Sequence, residues 1–186
     1  MVRSQIVLIV ISAYLVLNGI ASSYIFDCKG KNLVPNNQQI EKIELARKLF
    51  RREPRIHKPS ELRYLIRITS CYNAWADKAN NIIIISEPVI SNFSTEELAG
   101  ILGHEFGHFE SWDEKEQSEI DAIGASVTSK STMLKQLNKM IVSFNDIPGN
   151  NKIAMRTLIL PNLIYWLTIQ DFNLRINKIK SLPDNF

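Results

Sequence analysis

The chain has 186 residues, enough for one domain with its own core and too few for two ordinary domains joined by a linker. Apolar residues make up 45% and charged residues 22%, a globular balance that excludes wholesale disorder. A net charge of +3, without a dense basic stripe, gives no ground for a nucleic-acid partner, and two cysteines, Cys28 and Cys71, exclude a disulfide-dense scaffold and a cysteine-only zinc site.

Residues 6–26 contain no charged side chain. Ile6 to Leu17 suits the apolar centre of a signal peptide, and Ala21 with Ser23 supplies a small-x-small cleavage pattern that ends at residue 23. The same stretch matches the roughly 20 residues that span a bilayer as a helix, so a retained anchor associating with the membrane through residues 6–26 is the second reading. Either one leaves residues 24–186 as a single domain outside the cytoplasm, periplasmic or extracellular. In an oxidising compartment Cys28 and Cys71 can pair; two free thiols are the alternative.

Further along, residues 38–52 carry Ile40, Ile43, Leu45, Leu49 and Phe50 at helical spacing, and Pro54 closes that helix. Leu62 to Thr69 alternates apolar and polar residues, the pattern of a half-buried strand. Asp77 to Asn81 reads as a turn, and Ile82, Ile83, Ile84 and Ile85 form a β-branched run expected to be a strand buried on both faces. Strand, turn, strand predicts an antiparallel pair. Ser94 with Glu97 is a capping box opening a helix to about Phe109, and Asp113 with Glu116 is a second such start for a helix over 114–128, extending towards 142. A loop holds Pro148 and Gly149, an apolar helical stretch over 152–168 is interrupted by Pro161, and a last helix covers 171–181.

The chemistry lies in His104-Glu105-Phe106-Gly107-His108, an HExxH pattern inside the capped helix. Residues four apart on a helix share a face, so two imidazoles can ligate one Zn²⁺ while Glu105 is placed to take a proton from a metal-bound water. Two surface histidines beside an exposed glutamate are the plain alternative, which Leu98 and Ile101 on the histidine face oppose. A catalytic zinc also needs a third protein ligand. An acidic run follows: Glu110, Asp113, Glu114, Glu116, Glu119 and Asp121. On a helical wheel Glu119 borders the stripe formed by Ile120, Ile123 and Val127, whereas Asp121 points away. The expected order is Glu119, then Glu116, then Asp113, with Glu110, Glu114 and Asp121 on a solvated face. Gly107 costs about 1 kcal/mol in a helix relative to alanine, which a close approach by a strand or substrate would explain; simple tolerance is the other reading.

Asn73-Ala74-Trp75-Ala76, the strand Ile82–Ser86 and the helix Ser94 to His108 together resemble the HtpX and CAAX-prenyl-protease family of zinc metallopeptidases, most closely over residues 60–128. In that family a second helix carries E-x-E-A-D, and Glu119-Ile120-Asp121-Ala122 is similar to its first four positions, so the resemblance too implies Glu119 as the third ligand. The pattern departs at Ile123, where the family usually has an Asp that supports the histidines; unless another carboxylate substitutes, metal binding should weaken by about 10–100-fold. Leu174-Arg175-Ile176 resembles the family's late R-I segment, though the His-Pro before it is missing.

The resemblance implies an α+β, zincin-like domain: a small antiparallel sheet packed on the HExxH helix, a second ligand-bearing helix and a helical C-terminal part. It further implies one Zn²⁺ per chain, held by His104, His108 and Glu119, with Glu105 as the catalytic base of a zinc endopeptidase acting on protein or peptide substrates. The substrate is expected to lie along the strand of Ile82, Ile83, Ile84 and Ile85 as an edge. Arg175, Tyr165 and His57 are candidates for oxyanion or substrate contacts, against core packing for Tyr165 and surface positions for the other two. A catalytically silent zincin-fold module that binds a protein partner is the alternative function, and a structural zinc site using Cys71 is a third.

Overall fold

A computed structural model describes residues 28, 30–54, 62–111, 116–145 and 159–183, the last set and 144–145 in backbone alone up to residue 168. The chain divides into two compact units, Met1–Asp27 with Asp146–Asp171, and Cys28–Asn145 with Phe172–Phe186. The sheet and the HExxH helix belong to the second. The proposed leader or anchor, residues 6–26, lies outside the described residues. Among the described residues no helix is long and apolar enough to cross a membrane.

The described elements run β1 (Lys31–Leu33), α1 (Asn37–Arg47), β2 (Arg63–Ile68), β3 (Ala74–Asp77), β4 (Ile82–Ser86), α2 (Glu87–Asn92), α3 (Thr95–Glu110), α4 (Gln117–Val127), α5 (Lys130–Asn145) and α6 (Ile159–Ser181). The architecture is α+β, as expected, but the sheet is mixed and not antiparallel. Its order is β1-β2-β4-β3. β2 runs parallel to β4, with Arg63 opposite Ile82 and Arg67 opposite Ser86. The turn at 78–81 instead joins β3 to β4 as an antiparallel hairpin, Ala74 opposite Ile85 and Asp77 opposite Ile82, with Asn81 at φ 53°. The strands at 62–69 and 82–85 do pair as expected, but in parallel and not across one turn, because β3 intervenes in sequence and takes the outer place. The isoleucine run is central, as its β-branched, two-sided burial requires: Ile83 and Ile85 are fully buried. Hence Ile82–Ile85 is not an edge; β3 is.

Helix boundaries follow local chemistry where that chemistry is strong. α3 opens with both capping-box bonds, Glu97 N to Ser94 Oγ at 3.1 Å and Ser94 N to Glu97 Oε2 at 2.7 Å. α1 has an unforeseen box of the same kind, Asn36 with Gln39. It ends at Arg47, well before Pro54, and leaves Ile40, Leu45 and Leu49 exposed, burying only Ile43 and Ala46. The helix expected over 114–128 is α4, Gln117–Val127; its extension towards 142 is a separate helix, α5, after a break at Thr128 and Ser129. Pro161 lies within α6 as described, Ile159–Ser181, while residues 152–158 of the expected apolar stretch lie outside the described residues.

α3 is the central element: ten of its residues, Leu98 to Gly107, are buried. It packs on α1, α4, α5 and β3. Cys28 and Cys71 form a disulfide, Cα–Cα 5.4 Å, which ties the start of this unit to the segment before β3. Closing a chain separation of 43 residues removes unfolded-state entropy equivalent to about 4 kcal/mol.

The glycines of α3 and α4 mark where the two helices touch. A Cβ on Gly124 would come within 2.9 Å of the Gly103 carbonyl carbon, and one on Gly107 within 2.7 Å of the Ile120 carbonyl oxygen. The close approach anticipated at Gly107 is made by a helix and not by a strand or substrate. By helix propensity alone Gly107→Ala should stabilise the protein by about 1 kcal/mol; the clash with backbone reverses the sign. Urea unfolding of Gly107→Ala is expected to show a net loss of about 1–2 kcal/mol, and a gain in stability would refute the tight seam.

Candidate metal and catalytic site

His104 and His108 leave α3 from one face, as their spacing dictates. Their Nε2 atoms are 3.2 Å apart, and the rings stand nearly perpendicular at 86°. Two nitrogens each about 2.0–2.1 Å from one tetrahedral zinc would be separated by about 3.3 Å, so the imidazole pair fits the ion. The tautomer of His104 is set from behind. Its Nδ1 lies 2.6 Å from Asp121 Oδ1, a carboxylate oxygen that can only accept, so Nδ1 carries the proton and Nε2 presents its lone pair.

Asp121 is fully buried and is gripped on its other side by Arg175, with Nε on Oδ2 at 2.6 Å and Nη2 on Oδ1 at 3.0 Å. Burial pushes its pKa up, but the bonds from His104 and Arg175 outweigh that and hold it below the usual carboxylate range. Two expectations are corrected here. Asp121 faces the histidines and not solvent, and it supplies the support expected from an Asp at position 123. Arg175 is buried, not a surface residue, and stacks its guanidinium 5.1 Å from the Phe172 ring centroid.

Glu105 is buried beside the pair. Desolvation raises its pKa, opposed by the electrostatic influence of His104 and Arg175 and by a hydrogen bond with the Ala76 backbone of β3. His108 is shifted the other way, down to about 4, first by burial and then by the neighbouring His104 and Lys78. His108 can therefore act as a neutral donor near pH 7, as metal ligation requires.

These groups open onto a cleft of about 720 Å³, walled on one side by residues 73–79 of β3 and its turn, on another by Ile101, His104, Glu105 and His108, and elsewhere by Gln117, Gln136, Met140, Phe172 and Arg175. Glu119 is not among its walls. It is exposed on α4, as is Glu116, and among the described residues no three His, Cys, Asp or Glu side chains come together as a metal site. The structure thus does not bring Glu119 to the imidazoles. The wheel took Ile120, Ile123 and Val127 as the packing stripe; the buried set is Ile120, Asp121, Gly124, Ala125 and Val127, centred on a glycine that hydrophobicity undercounts. Asp113, Glu114 and His57 lie outside the described residues, as does the side chain of Tyr165. Glu110, expected in solvent, is clasped by Arg52 through two 2.8 Å bonds, with Ser126 Oγ accepting a third from the same guanidinium at 2.9 Å. The disulfide withdraws Cys71 from any zinc site.

An HExxH helix with one imidazole oriented by a buried carboxylate, beside a cleft bounded by an edge strand, defines a metallopeptidase-type centre. The chain belongs to peptidase family M48, whose family model matches residues 37–173. That family is one of metallopeptidases with a zincin-like fold, with which the mixed sheet and the six described helices are compatible. No curated protein and no solved structure gives a significant match.

The shift at His108 fixes the sign of one pH effect. Its folded pKa, about 4, lies below the ordinary 6.5, so the unfolded chain takes up a proton first as pH falls. Its contribution to stability is complete above pH 6.5 and is lost as pH drops towards 4. Glu105, with a raised pKa, acts in the opposite sense. In metal-free protein the fall in thermal midpoint from pH 6.5 to 4 is therefore expected to be smaller in His108→Gln than in wild type; parallel curves would refute the buried neutral imidazole.

Proposed function

We propose that this chain is a zinc-dependent endopeptidase, exported from the cytoplasm as a secreted or membrane-anchored domain. The observation that carries the reading is the Nε2 pair of His104 and His108 at 3.2 Å, with Asp121 fixing one ring and Glu105 buried alongside. His104 and His108 would hold the metal. Bound zinc supplies Lewis-acid polarisation of the scissile carbonyl and a more acidic water. Glu105 accepts the proton of the attacking water and returns it to the leaving amine; its raised pKa brings it closer to neutrality, where a group that must do both is most effective.

β3 presents the outer edge of the sheet along the cleft, so a peptide in extended form can add to residues 73–77 as a further strand, its scissile bond passing the HExxH helix. Arg175 is a positioning residue in this scheme: its guanidinium locks Asp121, which locks His104. The Cys28–Cys71 disulfide supports an oxidising compartment and hence export, in accord with the uncharged stretch 6–26.

A silent, partner-binding module is the second reading, favoured by one observation: the exposed Glu119 leaves the imidazole pair without a described carboxylate ligand. One experiment separates the two. Glu105→Gln is expected to retain zinc and to cleave a casein-type substrate at least about 100-fold more slowly than wild type. Zinc-loaded wild-type protein that cleaves nothing, or a variant that cleaves equally well, would overturn the peptidase reading.

A further inference from the structure

We propose, resting on the histidine pair of the zinc-peptidase reading, that the third protein donor is the amide oxygen of Gln117, so that the metal site is His₂Gln and carries no ligating carboxylate.

The register of α4 supplies the reason. Asp121 is tied to His104 Nδ1, so its direction on α4 is the direction of the imidazole pair. At about 100° per residue, Gln117 lies four positions and one turn before Asp121, only about 40° away round the axis, in the middle of the arc that buries Ile120, Gly124, Ala125 and Val127. Glu119 lies about 160° from Gln117, on the opposite side. The lining of the cleft agrees: of the residues of α4, Gln117 is the one that joins His104, Glu105 and His108 there, while Glu116 and Glu119 are absent from it. A glutamine oxygen is a competent neutral donor to a divalent ion, but it leaves a net charge of +2 at the centre where a carboxylate would leave +1. Binding is correspondingly weaker.

The test is zinc affinity by competition with a chromophoric chelator at neutral pH, on the full chain with its disulfide, with zinc alone as the probe. Position 117 begins α4 and is exposed, so substitutions there should not disturb folding, which metal-free thermal unfolding checks. Gln117→Glu is expected to tighten zinc binding by about tenfold or more and Gln117→Ala to weaken it by about as much, with Glu119→Gln and Asp113→Asn unchanged. If wild type binds zinc through the histidines, shown by loss in His104→Ala, yet Gln117→Ala binds as well as wild type or Glu119→Gln or Asp113→Asn loses the metal, the assignment of Gln117 falls while the histidine pair stands. If wild type binds no zinc but Gln117→Glu does, the amide is not a ligand and the proposal falls. If neither binds, the histidine-pair reading falls with it.

Discussion

One buried carboxylate organises the centre of this protein. Asp121 accepts from His104 on one oxygen and from Arg175 on both, three charge-assisted bonds on a side chain with no exposure to water. Such a cluster adds little net stability relative to an apolar core, because desolvation offsets the attraction, yet removing one partner leaves an uncompensated buried charge that costs on the order of 3–5 kcal/mol. The arrangement therefore acts as a lock. It fixes the tautomer of His104, aligns α4 against α3 and joins the last turns of α6 to both helices.

The lock closes only because α3 and α4 approach without side chains between them. Gly103 and Gly124 face one another, and Gly107 meets the Ile120 carbonyl. A β-carbon at the seam would push the helix axes apart, and a few tenths of an ångström would be felt in bonds of 2.6 Å. The glycines of HExxH and its neighbour on α4 are thus part of the same device as the ligands: they set the distance at which Asp121 can reach His104.

Much of the fold could be read in the chain. The Ser94–Glu97 box fixes the start of α3, and four isoleucines in a row mark a strand buried on both faces, because in each case the determining contacts are within a few residues. The sheet order could not be read in the same way. Nothing local tells a run such as Ala74–Asp77 that it will occupy the edge beside the cleft and push Ile82–Ser86 to the centre; that is decided by which face α3 covers. The acidic run after His108 misled for a related reason. Amphipathic arithmetic weights large apolar side chains, so it turned α4 towards Ile123 and Glu119, whereas the contact surface is built on Gly124 and Ala125 and admits Asp121.

The amino-acid sequence by itself determined the pair of imidazoles, the glutamate between them and the helix that carries them, since spacing along one helix is a local property of backbone hydrogen bonding. It also determined that two cysteines were available to pair. Only the tertiary structure decided which of six carboxylates stands behind His104, which strand borders the cleft, and that Arg175 is buried. Those outcomes depend on the rotation of one helix about its axis relative to another, and that rotation is set by close packing between residues distant in sequence.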